Sequence, residues 1–245
     1  MRFENKVVIV TGANSSYGKA IATQFTTEGA SVVLVGKNED KLKSLKRICD
    51  ATENTRCPAF VVTADLTEDE ETESVINQTI EKFGKIDILV NNAEIVRNGR
   101  LFDRSILDSF DDVMDVNIRA VVSLTSYATP HLTRTKGCIV NISSIGAERI
   151  LKNNCISYFI SKAALNHFTK ACAMELGKCG VRVNTVSPGS SSSRYFKYST
   201  CVETRNEMEE VADLVLHVAS DKSNSITGSN FVCDSGNLTA YVYYN

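Results

Sequence analysis

The sequence predicts a doubly wound parallel α/β sheet with helices on both faces, and three observations predict it. Short β-branched runs alternate with helix-length amphipathic segments along all 245 residues. Several runs are apolar throughout rather than alternating, as strands buried on both faces require. No internal repeat, charge block or Pro/Gly/Ser-rich linker interrupts the order, so one domain over 1–245 is expected. Strand–helix alternation with buried strands calls for a parallel sheet, and right-handed crossovers wind it to both sides.

Seven strands are expected, at Val7–Val10, Val32–Val35, Phe60–Val62, Ile86–Val90, Cys138–Ile142, Val181–Val186 and Phe231–Val232. Helices fill the gaps at Gly18–Glu28, Glu39–Cys49, Glu68–Phe83, Leu107–His131 (with a break), Ile156–Gly177 and Glu207–Ala219. Asn38 and Thr67 stand where N-caps belong, and Gly29, Gly84 and Gly177 where helices exit.

Composition narrows the function classes. With 27 Lys+Arg against 29 Asp+Glu, the net charge of −2 offers no basic surface for nucleic acid. The 43% apolar and 23% charged fractions are those of a soluble globular protein. No run approaches the ~18 apolar residues of a membrane span, and Val7–Val10 is too short for a signal peptide. A soluble cytoplasmic protein without membrane contact is expected. Eight cysteines, spread from Cys49 to Cys233 without a C-x-x-C pair, read as reduced thiols. His131, His167 and His217 lie far apart, and no metal site is expected.

In such a sheet, ligands sit beyond the C-terminal strand ends. The first strand runs into T-G-A-N-S-S-Y-G, Thr11–Gly18. Small residues there let backbone approach a pyrophosphate at a helix N-terminus, so Gly12, Asn14, Ser15, Ser16, Tyr17 and Gly18 are candidate cofactor-binding residues. The second strand ends in Gly36-Lys37-Asn38. An acidic residue near this point would grip the ribose 2′-hydroxyl of NAD, whereas a cation suits the 2′-phosphate of NADP. Gly36 has no carboxylate and Lys37 is a cation, so NADP(H) is preferred and NAD(H) remains open. Farther on, Tyr158 and Lys162 are four apart on a helix and share a face. A nearby ammonium is expected to lower the tyrosine pKa, fitting the phenol to exchange a proton with a carbonyl or alcohol oxygen. Ser144, at a strand end, can hydrogen-bond the same oxygen.

T-G-x-x-x-x-x-G at 11–18, D-L at 65–66, N-N-A at 91–93, Asn117, N-I-S-S at 141–144, Y-F-I-S-K at 158–162, N-T-V-S-P-G at 184–189 and I-T-G at 226–228 follow one another in order. Together they resemble the short-chain dehydrogenase/reductase family, a Rossmann-fold group, over nearly the whole chain. The resemblance implies an NADP-preferring oxidoreductase that moves a hydride between nicotinamide and a small carbonyl or secondary-alcohol substrate. It implies catalytic roles for Ser144, Tyr158 and Lys162, with Asn117 supporting a proton-relay water and Lys162 also holding the nicotinamide ribose. It places Asp65 at the adenine amino group with Leu66 beside it. Asn91 and Ala93 then line the cofactor, Pro188 and Gly189 meet its nicotinamide end, and Ser193 touches carboxamide or pyrophosphate. Homo-oligomers, tetramers or dimers, are implied through the 107–131 and 156–177 helices and the last strand.

Four departures bear on this. Ser16 stands where the family has glycine, next to Tyr17 in place of an aliphatic residue. Glu94 follows Asn91-Asn92-Ala93 where glycine is usual; aimed at the cofactor it repels phosphate, aimed outward it is harmless. The spacing from Ser144 to Tyr158 is one residue longer than the family's, which leaves Ser143 in competition with Ser144. The substrate segment, 190–209, is short and polar; Arg194, Tyr195, Phe196, Lys197 and Tyr198 are its candidate substrate contacts. These departures keep a second reading open, a catalytically weak protein of the same fold acting as a binding or regulatory partner.

Overall fold

The computed structural model describes residues 1–52, 57–150, 154–189 and 207–239. The seven expected strands form one parallel sheet in the order β3-β2-β1-β4-β5-β6-β7. They are β1 (Val7–Thr11), β2 (Ser31–Gly36), β3 (Phe60–Thr63), β4 (Ile88–Asn91), β5 (Cys138–Ile142), β6 (Arg182–Pro188) and β7 (Asn230–Cys233). Between them lie α1 (Ser16–Thr27), α2 (Glu39–Asp50), α3 (Asp69–Phe83), α4 (Ile106–Met114), α5 (Ala120–Thr135), α6 (Ile156–Leu176) and α7 (Glu207–Ala219).

Alternate strand residues face opposite sides of the sheet and build two cores. Val8 and Val10 of β1 join Ile21 and Phe25 of α1, Leu42 of α2 and Val215 of α7. Val7 and Ile9 join Val75 of α3, Leu124 of α5 and Leu176 of α6. A strand whose residues all meet a core has no polar face, which is why Val7–Val10 and Val32–Val35 read as apolar from end to end. No helix of the described residues is long and apolar enough to cross a membrane.

The helix ends show where local chemistry was read correctly and where it was not. Asn38 caps α2, its Oδ1 accepting from Lys41 N at 2.9 Å. Thr67 caps nothing; its N–H and hydroxyl both donate to Asp65 Oδ1, at 3.0 and 2.7 Å, and α3 starts after Glu68. Gly84 ends α3 with φ +73, but Gly177 keeps helical dihedrals and Gly180, φ +79, makes the left-handed exit after a short 3-10 turn. The break expected within Leu107–His131 is a π-helical turn, Asp115–Arg119, between α4 and α5. It carries Asn117, and π turns of this kind are commonly found at functional sites.

Candidate active site

The C-terminal ends of β1, β2, β4, β5 and β6 open into one cleft of about 890 Å3. At its centre the β1–α1 turn passes close to the exit of β4. Gly12 has φ +58, and a Cβ there would lie 2.8 Å from Ala93 Cα. Only glycine satisfies both the dihedral and the approach. Ser15 caps α1 by accepting from Gly18 N at 3.1 Å. Ser16 is the first residue of α1 and is not among the residues with positive φ. It therefore needs none of glycine's backbone freedom.

Two residues outside the sequence-based set hold this turn. Thr11, 2% exposed, accepts from Asn92 N at 2.9 Å and Ala93 N at 3.0 Å through its hydroxyl. Asn92 donates through Nδ2 to Thr11 O, Gly12 O and Ser15 Oγ, at 2.9, 3.0 and 3.1 Å. The signal was present in the T-G and N-N pairs themselves, at positions between the residues singled out. Thr11→Val keeps shape but leaves the buried Asn92 N–H and the part-buried Ala93 N–H without that acceptor, a buried one costing about 1–3 kcal/mol and a part-buried one less. A loss of about 2–4 kcal/mol in urea unfolding is expected; an unchanged midpoint would remove the hydroxyl from this role.

Asn91 and Asn92 face opposite ways. Asn92 lines the cleft, whereas Asn91 is 2% exposed and donates to Asn141 Oδ1 at 2.8 Å beneath it. Asn141 continues to Thr169 Oγ1 at 2.8 Å. The structure thus turns the Asn91 side chain away from the place expected for it, because neighbours on a strand alternate in direction.

Gly12, Asn14, Ser15, Ser16 and Tyr17 line the cleft at the turn. Gly18 lies buried behind them. Lys37, Asp65 and Leu66 line the far end, where Lys37 Nζ lies 2.7 Å from Asp65 Oδ2. Burial raises the Asp65 carboxyl, but hydrogen bonds from Lys37 and Thr67 outweigh it and hold the group below its ordinary value. A Cβ on Gly36 would lie 2.9 Å from Asn14 Oδ1, so glycine makes room for the turn at this point. Ala93, Ser144, Tyr158, Pro188 and Gly189 line the opposite end. Ser193 and the candidate substrate contacts of 194–198 fall outside the described residues.

Tyr158 and Lys162 do share one face of α6. Lys162, 1% exposed, donates through Nζ to Ile142 O at 2.9 Å and stands 5.5 Å from the Tyr158 ring centroid. Ser144 hydrogen-bonds Tyr158, while Ser143 is turned aside and donates to Lys162 O at 3.2 Å. The longer spacing to Tyr158 thus leaves Ser144, not Ser143, at the phenol. Asn117 sits behind the cleft. Its Oδ1 accepts from Ile95 N at 2.8 Å, and its Nδ2 donates to Ile95 O and Ser161 Oγ, both at 3.0 Å.

The main departure from expectation is Glu94. Its Oε2 lies 2.6 Å from Lys162 Nζ and accepts from Tyr158 OH at 3.3 Å. The sequence leads one to expect a lowered tyrosine pKa. Instead, burial pushes the Tyr158 phenol well above its ordinary value and the Glu94 carboxylate pushes the same way, against the Ser144 hydrogen bond. The ammonium that was to favour phenolate is occupied by a carboxylate.

Tyr17 makes a second link unseen in sequence. Its hydroxyl donates to Glu207 Oε1 at 2.5 Å, joining the turn to the start of α7 across 190 positions. Burial and Glu207 together drive the Tyr17 phenol far above its ordinary value. Among the described residues, no group of three His, Cys, Asp or Glu side chains is placed to hold a metal ion.

A cleft of this volume is within the range of small-molecule and cofactor sites. Glycines without room for a Cβ at Gly12 and Gly18, the N-terminus of α1, and a cation at the end of β2 fit a dinucleotide with its pyrophosphate at the turn.

The comparisons with known proteins agree with that geometry. Residues 12–237 match the family model described as enoyl-(acyl carrier protein) reductase. The meso-2,3-butanediol dehydrogenase of Serratia marcescens is 33% identical over 250 residues, covering 96% of each chain. A Caenorhabditis elegans short-chain dehydrogenase/reductase of unknown function, solved with cofactor, has a TM-score of 0.89 and 31% identity over 99% of this chain and 98% of that one. A short chain dehydrogenase from Burkholderia cenocepacia, in complex with NADP, has a TM-score of 0.88 and 30% identity over 97% of this chain and all of that one (100%).

Proposed function

Because the chain belongs to the short-chain dehydrogenase/reductase family, we propose that it is an NADP-preferring oxidoreductase interconverting a small carbonyl compound and its secondary alcohol. The observation that carries this reading is the convergence of Ser144, Tyr158 and Lys162 at one end of the cleft. The β1–α1 turn would hold the pyrophosphate, Asp65 and Leu66 the adenine, and Pro188 and Gly189 the nicotinamide end. Nicotinamide, when bound there, supplies or accepts the hydride. Ser144 orients the substrate oxygen by hydrogen bonding, and Tyr158 gives that oxygen a proton in reduction or takes one in oxidation. Lys162 stabilises the phenolate that results when the proton is given. Asn117 fixes the Ile95 backbone beside the site and so positions the segment that follows Glu94.

Preference for NADP rests on Lys37, whose side chain is 63% exposed at the cleft and paired with Asp65, another cleft residue. Lys37→Glu should reverse the ratio of NADPH to NADH affinity by about tenfold or more, since it replaces attraction to the 2′-phosphate with repulsion. Fluorescence titration with each cofactor measures this; an unchanged ratio would remove Lys37 from cofactor selection.

Exposed Leu107 and Phe110 on α4, Val122 on α5, and Ile160 and Met174 on α6 support a homo-oligomer. The reading as a catalytically weak binding partner draws on one observation, the Glu94 carboxylate on Lys162. Absence of NADPH binding at millimolar concentration would favour it.

A further inference from the structure

Glu94 is flanked on both sides by backbone that the fold holds in place. On one side, Ala93 abuts the glycine turn and its N–H is fixed by Thr11. On the other, both polar backbone atoms of Ile95 are bracketed by Asn117 from the π turn. The carboxylate between them reaches the wall formed by α6 and lies along the cleft. There it meets Lys162, whose side chain is 2% exposed and whose other partner is the Ile142 carbonyl. An ammonium this far from water needs a strong acceptor, and a charge-assisted bond at 2.6 Å is one. Glu94 is itself 36% exposed, so it has solvent to move into when that bond opens.

We propose that Glu94 is an internal competitor for Lys162: its carboxylate bridges the nicotinamide end of the cleft, and a dinucleotide seats its second ribose there only by displacing it. The inference rests on the reading of the cleft as an NADP site. It assigns Glu94 a positioning role, holding Lys162 in place before the cofactor arrives and yielding it afterwards. The penalty falls on one half of the ligand. The adenosine half, bound by Lys37 and Asp65 at the far end, does not meet the bridge. A carboxylate that merely repelled phosphate would weaken both halves, because the 2′-phosphate and pyrophosphate carry the charge.

The test is titration of the full chain and of its Glu94→Gln and Glu94→Gly variants with two probes, NADPH and adenosine 2′,5′-bisphosphate. Glu94→Gln removes the charge and keeps the shape; Glu94→Gly removes the side chain. Both variants are expected to bind NADPH about tenfold or more tighter than wild type, the scale of losing one charge-assisted bond, with affinity for the bisphosphate unchanged. Equal affinity for NADPH in all three proteins overturns the competition. Equal tightening for both probes also overturns it, in favour of simple phosphate repulsion. Failure of either probe to bind any of the three proteins overturns the NADP reading itself, and is distinguished from the first outcome by the bisphosphate arm.

Discussion

Tyr158→Phe is expected to lower kcat by about 10²–10⁴, the range that a positioned proton donor contributes. Cofactor binding should stay within about threefold of wild type, since the ring packs against Phe159 and needs no hydroxyl to do so. Loss of the hydroxyl also removes the bonds to Ser144 and Glu94. The phenol's raised pKa gives a second readout. In the cofactor-free protein the group stays protonated through the neutral and mildly alkaline range, because burial and the neighbouring carboxylate both oppose phenolate. Difference absorbance between wild type and Tyr158→Phe should therefore show no phenolate step below about pH 10. A step near neutrality would overturn the raised pKa, and a variant with full turnover would remove Tyr158 from the proton-transfer role.

The protonated phenol also bears on direction. On the proposed function, reduction of a carbonyl consumes a proton from Tyr158, and the cofactor-free site already holds it. Oxidation of an alcohol needs the phenolate, and thus the Lys162 ammonium freed from Glu94. On the proposed competition, one ion pair thus links cofactor seating to the state of the acid–base group.

How much of this was legible in the sequence follows from the range of the interactions. The sheet was legible because a strand buried on both faces is apolar along its length, and Val7–Val10 or Val32–Val35 satisfy that with local residues alone. Asn38 as a cap was legible for the same reason, its partner being three residues away. Thr67 was misread because Asp65, two residues back, offered a competing acceptor. Gly177 was misread because a further 3-10 turn was inserted before Gly180. The position of Glu94 was visible as a departure, but its direction was not. That direction is set by Asn117 acting on Ile95 across 22 positions and by Lys162 across the cleft. The Tyr17–Glu207 bond, spanning 190 positions, left no local pattern to read.

Gly18→Ala is expected to abolish NADPH binding, by more than about a hundredfold, and to destabilise the fold by about 1–3 kcal/mol through overpacking. Helix propensity alone points the other way, since Ala is favoured over Gly by about 1 kcal/mol inside a helix, and Gly18 lies in the first turn of α1. Packing decides the sign. A Cβ at Gly18 would collide with the Gly12 carbonyl oxygen and lie 2.8 Å from both Ala13 Cα and Asn92 Nδ2. The first two are backbone atoms of the turn and yield only if the turn moves; the third is the amide that holds the turn to β4. Any shift that relieves the contact therefore displaces the N–H groups at the start of α1 from the pyrophosphate. Gly84→Ala isolates that effect from glycine replacement in general. It sits at φ +73 with nothing within 4 Å of a new Cβ, so it costs about 1–2 kcal/mol of backbone strain and leaves NADPH affinity unchanged. Thermal unfolding and NADPH titration of the two variants side by side make the comparison; wild-type affinity in Gly18→Ala would mean that the turn does not hold the phosphates.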